Sequence, residues 1–301
     1  MAHELTEGGA ARKLRERLGS DGIIVSPIVW DGLGARVAES LGFECLGLGG
    51  YALGAHLVTS EPLLTLSELA AATRYITTAT KLPLVVDAGA GYGEPLHVMR
   101  TVRELERAGA AAVHIEDQIF PKRVHYHQGI EHVVPRNEIL QKIRAAVAAR
   151  QNADFVIMGR TDAMRTDGFA EGVERANLFL EAGADMVMIF PNDVDEARMA
   201  PRAIGGPICY VNSEGNRLGR PVLAVSELED FGYKMVSYST TLVCAAVAEM
   251  TRVLRRLKTD GVSGLPAEAM LPLRKEVESL VGLDELYRIE AETSETGAGR
   301  N

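Results

Sequence analysis

The chain contains 301 residues, of which 47% are hydrophobic and 24% charged, a balance typical of a globular protein with a sizeable apolar core. This length fits one large α/β domain or two ordinary ones. The formal net charge of −9 argues against nucleic acid and against an anionic membrane as partners.

The cysteines and the N-terminal segment bear on the compartment. The three cysteines, Cys45, Cys209 and Cys244, are far apart and include no C-x-x-C pair. They predict neither a disulfide framework nor a zinc site, and they suit a reducing environment. Residues 1–18 are too polar for a signal peptide, and no apolar run reaches membrane-spanning length. We therefore expect a cytoplasmic protein with no membrane partner.

A pattern of three parts recurs along the chain: an apolar helical segment, a glycine and a short apolar run. The glycine stands where a helix ends in a left-handed residue, and the run is typical of a parallel strand buried on both faces. The pattern and the apolar runs between helical segments predict eight strands, which are Gly22–Val25, Cys45–Leu48, Leu82–Asp87, Ala111–Ile115, Phe155–Arg160, Met186–Ile189, Ile208–Val211 and Met235–Tyr238.

Strand–helix alternation at this count predicts a (β/α)8 TIM-type barrel. A doubly wound open sheet is the alternative, although no G-x-G-x-x-G follows a strand at the place that fold requires. We expect one barrel domain over residues 1–289, with its core at about 22–258, further helices over 259–289 and a disordered tail at 290–301. Residues 120–135 form a long polar loop, which is typical of a lid or a binding loop.

Polar side chains cluster where three consecutive strands end. The third strand ends in Asp87, the fourth is followed by Glu116 and the fifth ends in Arg160. In a parallel barrel these ends meet at the face that carries the active site. Two carboxylates can hold a hard divalent cation, and an arginine can bind a substrate carboxylate through two hydrogen bonds. Because a cation stabilises an enolate, we expect enolate chemistry on a 2-oxo or 2-hydroxy acid.

These polar groups also have structural interpretations. Asp117 and Asp162 fit the N-caps of helices. Arg160 can form an ion pair with Asp162 or with Glu116. His114 lies inside an apolar strand, as a core histidine does. Position at a strand end leaves the catalytic and the structural interpretations open.

Three ordered segments resemble motifs of one enzyme family. They are VVDAGAGYGEP, AGAAAVHIEDQIFPKR and FVIMGRTDA, at the ends of the third, fourth and fifth predicted strands. On these segments the chain, from about Gly22 to Lys258, resembles the isocitrate lyase/phosphoenolpyruvate mutase superfamily and its methylisocitrate lyases. The resemblance implies a barrel that is usually a homotetramer, with its last helix swapped between subunits. It also implies Mg²⁺ or Mn²⁺ as cofactor and a small carboxylate as substrate.

The resemblance assigns roles residue by residue. Asp87 matches a metal-binding Asp, Glu116 a metal-shell Glu and Arg160 the substrate-binding Arg. The turn made by Gly49, Gly50 and Tyr51 matches the turn that binds a carboxylate through backbone N–H groups. Asn212, after the seventh strand, matches a substrate-binding Asn.

The chain also departs from the family pattern. Gly89 replaces the second Asp of the D-x-D motif, Gly49 replaces the usual Ser, and Phe190 stands near the place of a Glu expected after the sixth strand. Fewer carboxylates predict a metal that is weakly bound, differently coordinated or lost.

The lid segment departs further, since residues 122–127 read KRVHYH and the cysteine general acid of the lyases is absent. His125, Tyr126 and His127 stand in its place, and histidine can act as general acid or base near neutral pH. The H-x-H spacing can also bind a transition metal. A solvated loop with incidental histidines is the structural alternative.

The leading hypothesis is a carbon–carbon lyase that cleaves a small 2-hydroxy or 2-oxo di- or tricarboxylic acid through a metal-stabilised enolate, which a lid residue protonates. A second hypothesis is an oxaloacetate-type decarboxylase or hydrolase, or a phosphonate mutase or hydrolase, of the same superfamily. A third is a divergent barrel without metal-dependent catalysis.

Overall fold

The computed structural model describes residues 9–293 of the chain. The chain divides into two compact units, Met1–Val243 with the barrel and Cys244–Asn301 with the C-terminal helices. This boundary lies earlier than the predicted start of the C-terminal segment at residue 259, because one continuous helix of 20 residues, Thr241–Asp260, runs from the first unit into the second. Among the described helices, none combines the length and the apolar character that crossing a bilayer requires.

Eight parallel strands form a nearly closed barrel, which confirms the predicted (β/α)8 TIM-type fold. The strands are β1 (Ile24–Pro27), β2 (Leu46–Leu48), β3 (Leu84–Asp87), β4 (Ala112–Glu116), β5 (Val156–Arg160), β6 (Met186–Ile189), β7 (Ile208–Asn212) and β8 (Met235–Tyr238). They pair in the order β1-β8-β7-β6-β5-β4-β3-β2. At the seam between β1 and β2, the Val29 N–H donates to the Gly47 carbonyl (2.9 Å) and Ile28 forms a parallel bridge to Gly47.

The helices surround the strands in the first unit and make up the second. In chain order they are α1 (Gly9–Gly19), α2 (Gly32–Ser40), α3 (Gly50–His56), α4 (Leu66–Ala79), α5 (Pro95–Arg107), α6 (Arg136–Ala149), α7 (Ala163–Thr166), α8 (Phe169–Glu181), α9 (Val194–Ala203), α10 (Val225–Phe231), α11 (Thr241–Asp260), α12 (Ala267–Leu280) and α13 (Leu283–Thr293). The last helix includes the first four residues of the predicted tail, and residues 294–301 lie outside the described part of the chain.

The strands are buried on both faces because alternate side chains point to opposite sides of a strand. On β3, Val86 packs in the layer between strands and helices, whereas Val85 packs in the barrel interior. Leu14 of α1 joins the interior cluster. The same alternation directs Asp87, two residues after Val85, to the inner face at the carboxyl end of the strand.

Candidate active site

Three polar side chains end neighbouring strands at the carboxyl end of the barrel, and the structure brings them into contact. Glu116 and Arg160 lie opposite each other in the register of β4 and β5. Arg160 Nη1 lies 3.3 Å from Glu116 Oε2 and 3.8 Å from Asp87 Oδ2. Arg160 Nη2 also lies 3.2 Å from Asp162 Oδ2. Arg160 therefore forms ion pairs with both Asp162 and Glu116, as its structural interpretation predicts. It also lies at the predicted site.

Asp87 is held by backbone amides and by basic side chains. The Gly89 N–H donates to Oδ1 (2.9 Å) and the Gly50 N–H to Oδ2 (3.4 Å), while His114 Nδ1 lies 3.5 Å from Oδ1. Burial disfavours the ionised form, but His114 and Arg160 with other nearby cations hold the pKa of Asp87 well below its usual range. Asp87 is thus an anion throughout the neutral pH range.

Glu116 is fully buried, and its two carboxylate oxygens differ in their contacts. Lys122 Nζ donates a hydrogen bond to Oε2 (3.1 Å) and lies 3.0 Å from Oε1, whereas Arg160 contacts Oε2. Burial raises the pKa of Glu116 to about 7, against the opposing effect of Lys122 and Arg160. This carboxyl group therefore changes its charge near neutral pH and can hold or release a proton there.

Glu61 is a site residue that the reasoning from strand ends missed. It opens a short 3-10 helix, Glu61–Leu63, between α3 and α4, and its carboxylate accepts hydrogen bonds from Lys122 and from the Tyr126 hydroxyl. A Cβ atom at Gly50 would lie 2.5 Å from Glu61 Cγ, so only glycine allows this approach. In the sequence, the only local indication of this role is that Glu61 is a lone acidic residue in the uncharged loop after the Gly49–Gly50 turn.

The lid segment contributes one basic and one phenolic group to the site. Lys122 Nζ lies 4.1 Å from the centre of the Tyr126 ring. Burial disfavours the charge of Lys122, but Glu116 and Glu61 outweigh it and raise the pKa of this lysine. Burial and the adjacent Glu61 raise the pKa of Tyr126 well above its usual range, so its hydroxyl stays protonated.

The two lid histidines lie farther towards solvent. His125 is exposed. His127 is partly buried, its Nε2 lies 3.0 Å from Ser60 Oγ, and its ring contacts the rings of Tyr126 and Tyr51. Burial lowers the pKa of His127, which keeps the ring neutral. Neither histidine shares in the contacts that tie Tyr126 and Lys122 to the buried carboxylates, and their catalytic roles stay predictions.

The predicted carboxylate-binding turn lies beside Asp87. Gly49 is the N-cap of α3, and Gly50 begins that helix with its N–H directed at Asp87. Tyr51 is about half exposed and faces the lid through His127. The turn therefore lies at the border of the site, and its binding of a substrate carboxylate stays a prediction.

Asn212 is buried, but both ends of its side-chain amide are already used. Its Nδ2 donates to the Leu223 carbonyl (2.9 Å) and its Oδ1 accepts from the Leu223 N–H (3.1 Å). Val211 belongs to the interior cluster, so alternation directs the next side chain outward. These contacts anchor the loop after β7, and a role of Asn212 in substrate binding stays a prediction.

A cavity of about 40 Å³, enough for a few water molecules, joins these groups. Glu61, Asp87 and Glu116 line it together with Lys122. Among the described residues, no three His, Cys, Asp or Glu side chains stand close enough to hold a metal ion by themselves. The carboxylate oxygens of this wall still fit a hard divalent cation, provided that water and substrate oxygens complete its shell.

Comparisons with known proteins match most of the chain. The family described as phosphoenolpyruvate phosphomutase matches residues 14–258. A 2-methylisocitrate lyase from Aeropyrum pernix is 39% identical over 285 residues, which cover 93% of this chain and 90% of that protein. A 2,3-dimethylmalate lyase from Eubacterium barkeri is 36% identical over 283 residues, which cover 93% of this chain and 96% of that protein. The structure of oxaloacetate acetylhydrolase with the inhibitor 3,3-difluorooxalacetate has a TM-score of 0.87 at 31% identity, covering 97% of this chain and 99% of that one.

Proposed function

Because this chain belongs to the isocitrate lyase/phosphoenolpyruvate mutase superfamily, we propose that it is a carbon–carbon lyase that cleaves a small 2-hydroxy or 2-oxo di- or tricarboxylic acid. One observation carries the proposal: Arg160 contacts two carboxyl groups that titrate in different pH ranges, Asp87 and Glu116. Such a site can bind an acid and move a proton at the same place, because the two environments separate the two roles.

The proposed reaction begins when a substrate carboxylate binds Arg160, with the N–H groups of the Gly49–Gly50 turn beside it. Ionised Glu116 accepts the proton of the substrate's 2-hydroxyl group. The oxygen then forms a carbonyl, the neighbouring carbon–carbon bond breaks, and its electron pair passes to the departing acid as an enolate. One product is a 2-oxo acid, and the other is a carboxylic acid once its carbon is protonated.

Tyr126 is the lid residue best placed to donate that proton. Its hydroxyl is bonded to Glu61, a wall of the cavity, and remains protonated at neutral pH. The Lys122 ammonium group above its ring would stabilise the phenolate left after transfer. The two lid histidines lie farther from the carboxylates, so the contacts favour the phenol over either imidazole.

A divalent cation, Mg²⁺ or Mn²⁺, fits beside these residues. Asp87 and Glu116 would hold it, with Glu61 on the same cavity wall, and it would supply charge stabilisation for an enolate oxygen. Lys122 and Arg160 already place two positive charges against the same carboxylates. The chain's own cations therefore share in stabilising negative charge, and they compete with a metal for its ligands.

Asp87→Ala tests the proposal against a panel of substituted malates and 2-oxo diacids, with 2-oxo acid release as the readout. We expect turnover of at least one acid by the unaltered protein and a loss of about 10³-fold in the variant, since the buried anion that the Gly50 and Gly89 N–H groups bind is removed from the site. Asp195→Ala is the matched control, because Asp195 lies on the exposed face of α9. Full turnover by Asp87→Ala would contradict the proposal.

A phosphonate mutase or hydrolase is the second candidate. The absence of the lid cysteine is compatible with it, since Val124 and His125 occupy that part of the segment and the phosphonate enzymes of the superfamily also lack this cysteine. Conversion of phosphonopyruvate, followed by phosphorus NMR, would identify it. A barrel without metal-dependent catalysis would instead show no Mg²⁺ or Mn²⁺ binding by calorimetry, with or without oxalate.

We further propose a homotetramer in the cytoplasm. Along α11 four apolar side chains recur at helical spacing and are exposed: Val247, Met250, Leu254 and Leu257. Such a stripe fits a helix that packs against a second copy of the chain. The three cysteines form no disulfide, which suits a reducing compartment.

A further inference from the structure

Three arginines surround one aromatic ring on the side of the barrel mouth opposite Glu61. The guanidinium carbons of Arg160, Arg220 and Arg165 lie 4.7, 4.9 and 5.3 Å from the centre of the Phe190 ring. Arg160 is the last residue of β5, Arg165 lies in α7 after that strand, Arg220 follows β7, and Phe190 follows β6. We call these four residues the arginine cluster.

Two of the three arginines have carboxylate partners. Arg160 pairs with Asp162 as well as with Glu116, and Arg165 pairs with Glu131. Their positive charges are therefore balanced inside the protein. Arg220, the third arginine, differs from these two in its contacts.

Arg220 is only 6% exposed, yet no described carboxylate forms an ion pair with it. Its Nη1 donates to the Val211 carbonyl at 3.4 Å, and its buried Nε has no hydrogen-bond partner. Burial lowers the pKa of Arg220, against the opposing effect of Tyr210 and Asp162 and with a smaller contribution from Arg160. A buried cation without a counterion is costly to a protein, and the ring of Phe190 offsets only part of that cost.

The position of Arg160 relates this unpaired charge to the site. Arg160 contacts Asp87 and Glu116 on one side and the Phe190 ring on the other. An acid bound at Arg160 can therefore place its reacting carbons over the carboxylates and extend its other end towards Arg220. Phe190 itself stands near the place where the superfamily resemblance leads one to expect a Glu, so the local charge is more positive than that pattern implies.

We propose that Arg220 binds an additional carboxylate of the substrate, so that this chain prefers a tricarboxylic acid to the dicarboxylic acid of the same skeleton. The inference rests on the proposed function for its substrate class. Its physical basis is that a substrate anion supplies the ion-pair partner that no described carboxylate provides at Arg220.

The test compares Arg220→Met with the unaltered chain on two acids, 2-methylisocitrate and 2,3-dimethylmalate. The variant should lower kcat/KM for the tricarboxylic acid by about 30-fold or more, because a buried charge contact is lost, and should change kcat/KM for the dicarboxylic acid less than about threefold. Arg220→Lys should restore part of the preference, since it keeps the charge without the paired donors. Equal effects on both acids, or none, would overturn the proposal.

A binding measurement separates this inference from the proposed function. Calorimetry with propane-1,2,3-tricarboxylate and with glutarate, which lacks the middle carboxylate, needs no turnover. If neither acid above is cleaved but the tricarboxylate binds more tightly only while Arg220 is present, the lyase assignment fails and the anion site stands. If both ligands bind the unaltered chain and Arg220→Met equally, the anion site is refuted whatever the chemistry.

Two controls exclude a purely structural role. Arg198→Met removes an arginine that also stacks on a phenylalanine, Phe231, but on the exposed α9, and it should leave the preference unchanged. The melting temperature of Arg220→Met should equal or exceed that of the unaltered chain, because an unpaired buried charge is removed. A large drop in melting temperature without a change in substrate preference would show that Arg220 only supports the fold.

Discussion

The two sides of the barrel mouth differ in charge. On the β2–β4 side, the carboxylates of Glu61, Asp87 and Glu116 line one cavity with a single lysine. On the β5–β7 side, three arginines face one aromatic ring, and one of them, Arg220, forms no ion pair with a carboxylate of residues 9–293. The difference suggests a division of labour in which the carboxylate side moves protons and the arginine cluster recognises anionic groups.

This division has measurable consequences. Changes on the carboxylate side should appear in kcat and in the pH profile, because they alter the chemical step. Changes at Arg220 should appear as a shift in substrate preference, because they alter binding of a remote group. Variants of Tyr126, Glu116 and Gly89 test these expected differences.

After Asp87→Ala, the largest effect is expected from Tyr126→Phe. Removing the hydroxyl should lower kcat by about 10²–10³-fold with little change in KM, because a general acid is lost while the carboxylate-binding groups remain. Steady-state kinetics of 2-oxo acid release measures both constants. Tyr75→Phe, which removes an exposed hydroxyl on α4, is the matched control.

Variants of the two lid histidines test whether Tyr126 is the general acid. If His125→Gln or His127→Gln lowers kcat as much as Tyr126→Phe does, an imidazole shares the acid role. If only a histidine variant loses activity, the assignment to Tyr126 is wrong.

A second prediction concerns Glu116, whose pKa burial raises to about 7. The ionised form prevails above that pH, so kcat/KM should rise about tenfold per pH unit below pH 7 and level off above it. In Glu116→Gln this dependence should disappear, together with about 10²-fold of the activity. Glu104→Gln, on the outer helix α5, should keep the unaltered profile. A dependence on pH that survives in Glu116→Gln would assign the titration to another group.

The smallest effect is expected from Gly89→Asp. This variant restores the second Asp of the D-x-D motif next to Asp87 and Glu116. A Cβ at Gly89 would lie 3.9 Å from Glu116 Oε1, and the residue has φ +51, a region that Asp and Asn tolerate better than most side chains. We expect Mg²⁺ affinity to rise about tenfold by calorimetry. The substrate preference set by Arg220 should not change.

Gly89→Asn is the control for Gly89→Asp, because it imposes the same backbone strain without the charge. If Asn raises Mg²⁺ affinity as much as Asp, the effect is not electrostatic. If neither variant binds the ion more tightly, the carboxylate side does not receive a metal at this position.

Much of the fold could be predicted because its signals are local. The apolar runs of the strands and the glycines that end the preceding helices predicted six of the eight strands to within one residue at both ends. The first strand lies two residues later than predicted, at Ile24–Pro27, because its pairing with β8 sets its limits. The site at Asp87, Glu116 and Arg160 followed from the same local signals, since a polar residue at the end of a buried strand stands out.

Other features depend on contacts between distant segments. Glu61 reaches the cavity because a loop folds back over Gly50, and no period in the sequence indicates that approach. Asn212 looks like a ligand in the sequence, yet its amide is engaged by Leu223 across the loop after β7. The division of the chain after Val243 also has no local signal, because it falls inside the continuous helix Thr241–Asp260.

The barrel, its strand ends and the family could be predicted from the sequence, because strand periodicity and short motifs depend on residues that are neighbours in the chain. The pKa of Glu116 near 7, the contact of Tyr126 with Glu61 and the lack of an ion pair at Arg220 within the described residues became visible only in the folded chain. These properties depend on burial and on charges that lie far apart in the chain, and packing alone sets both.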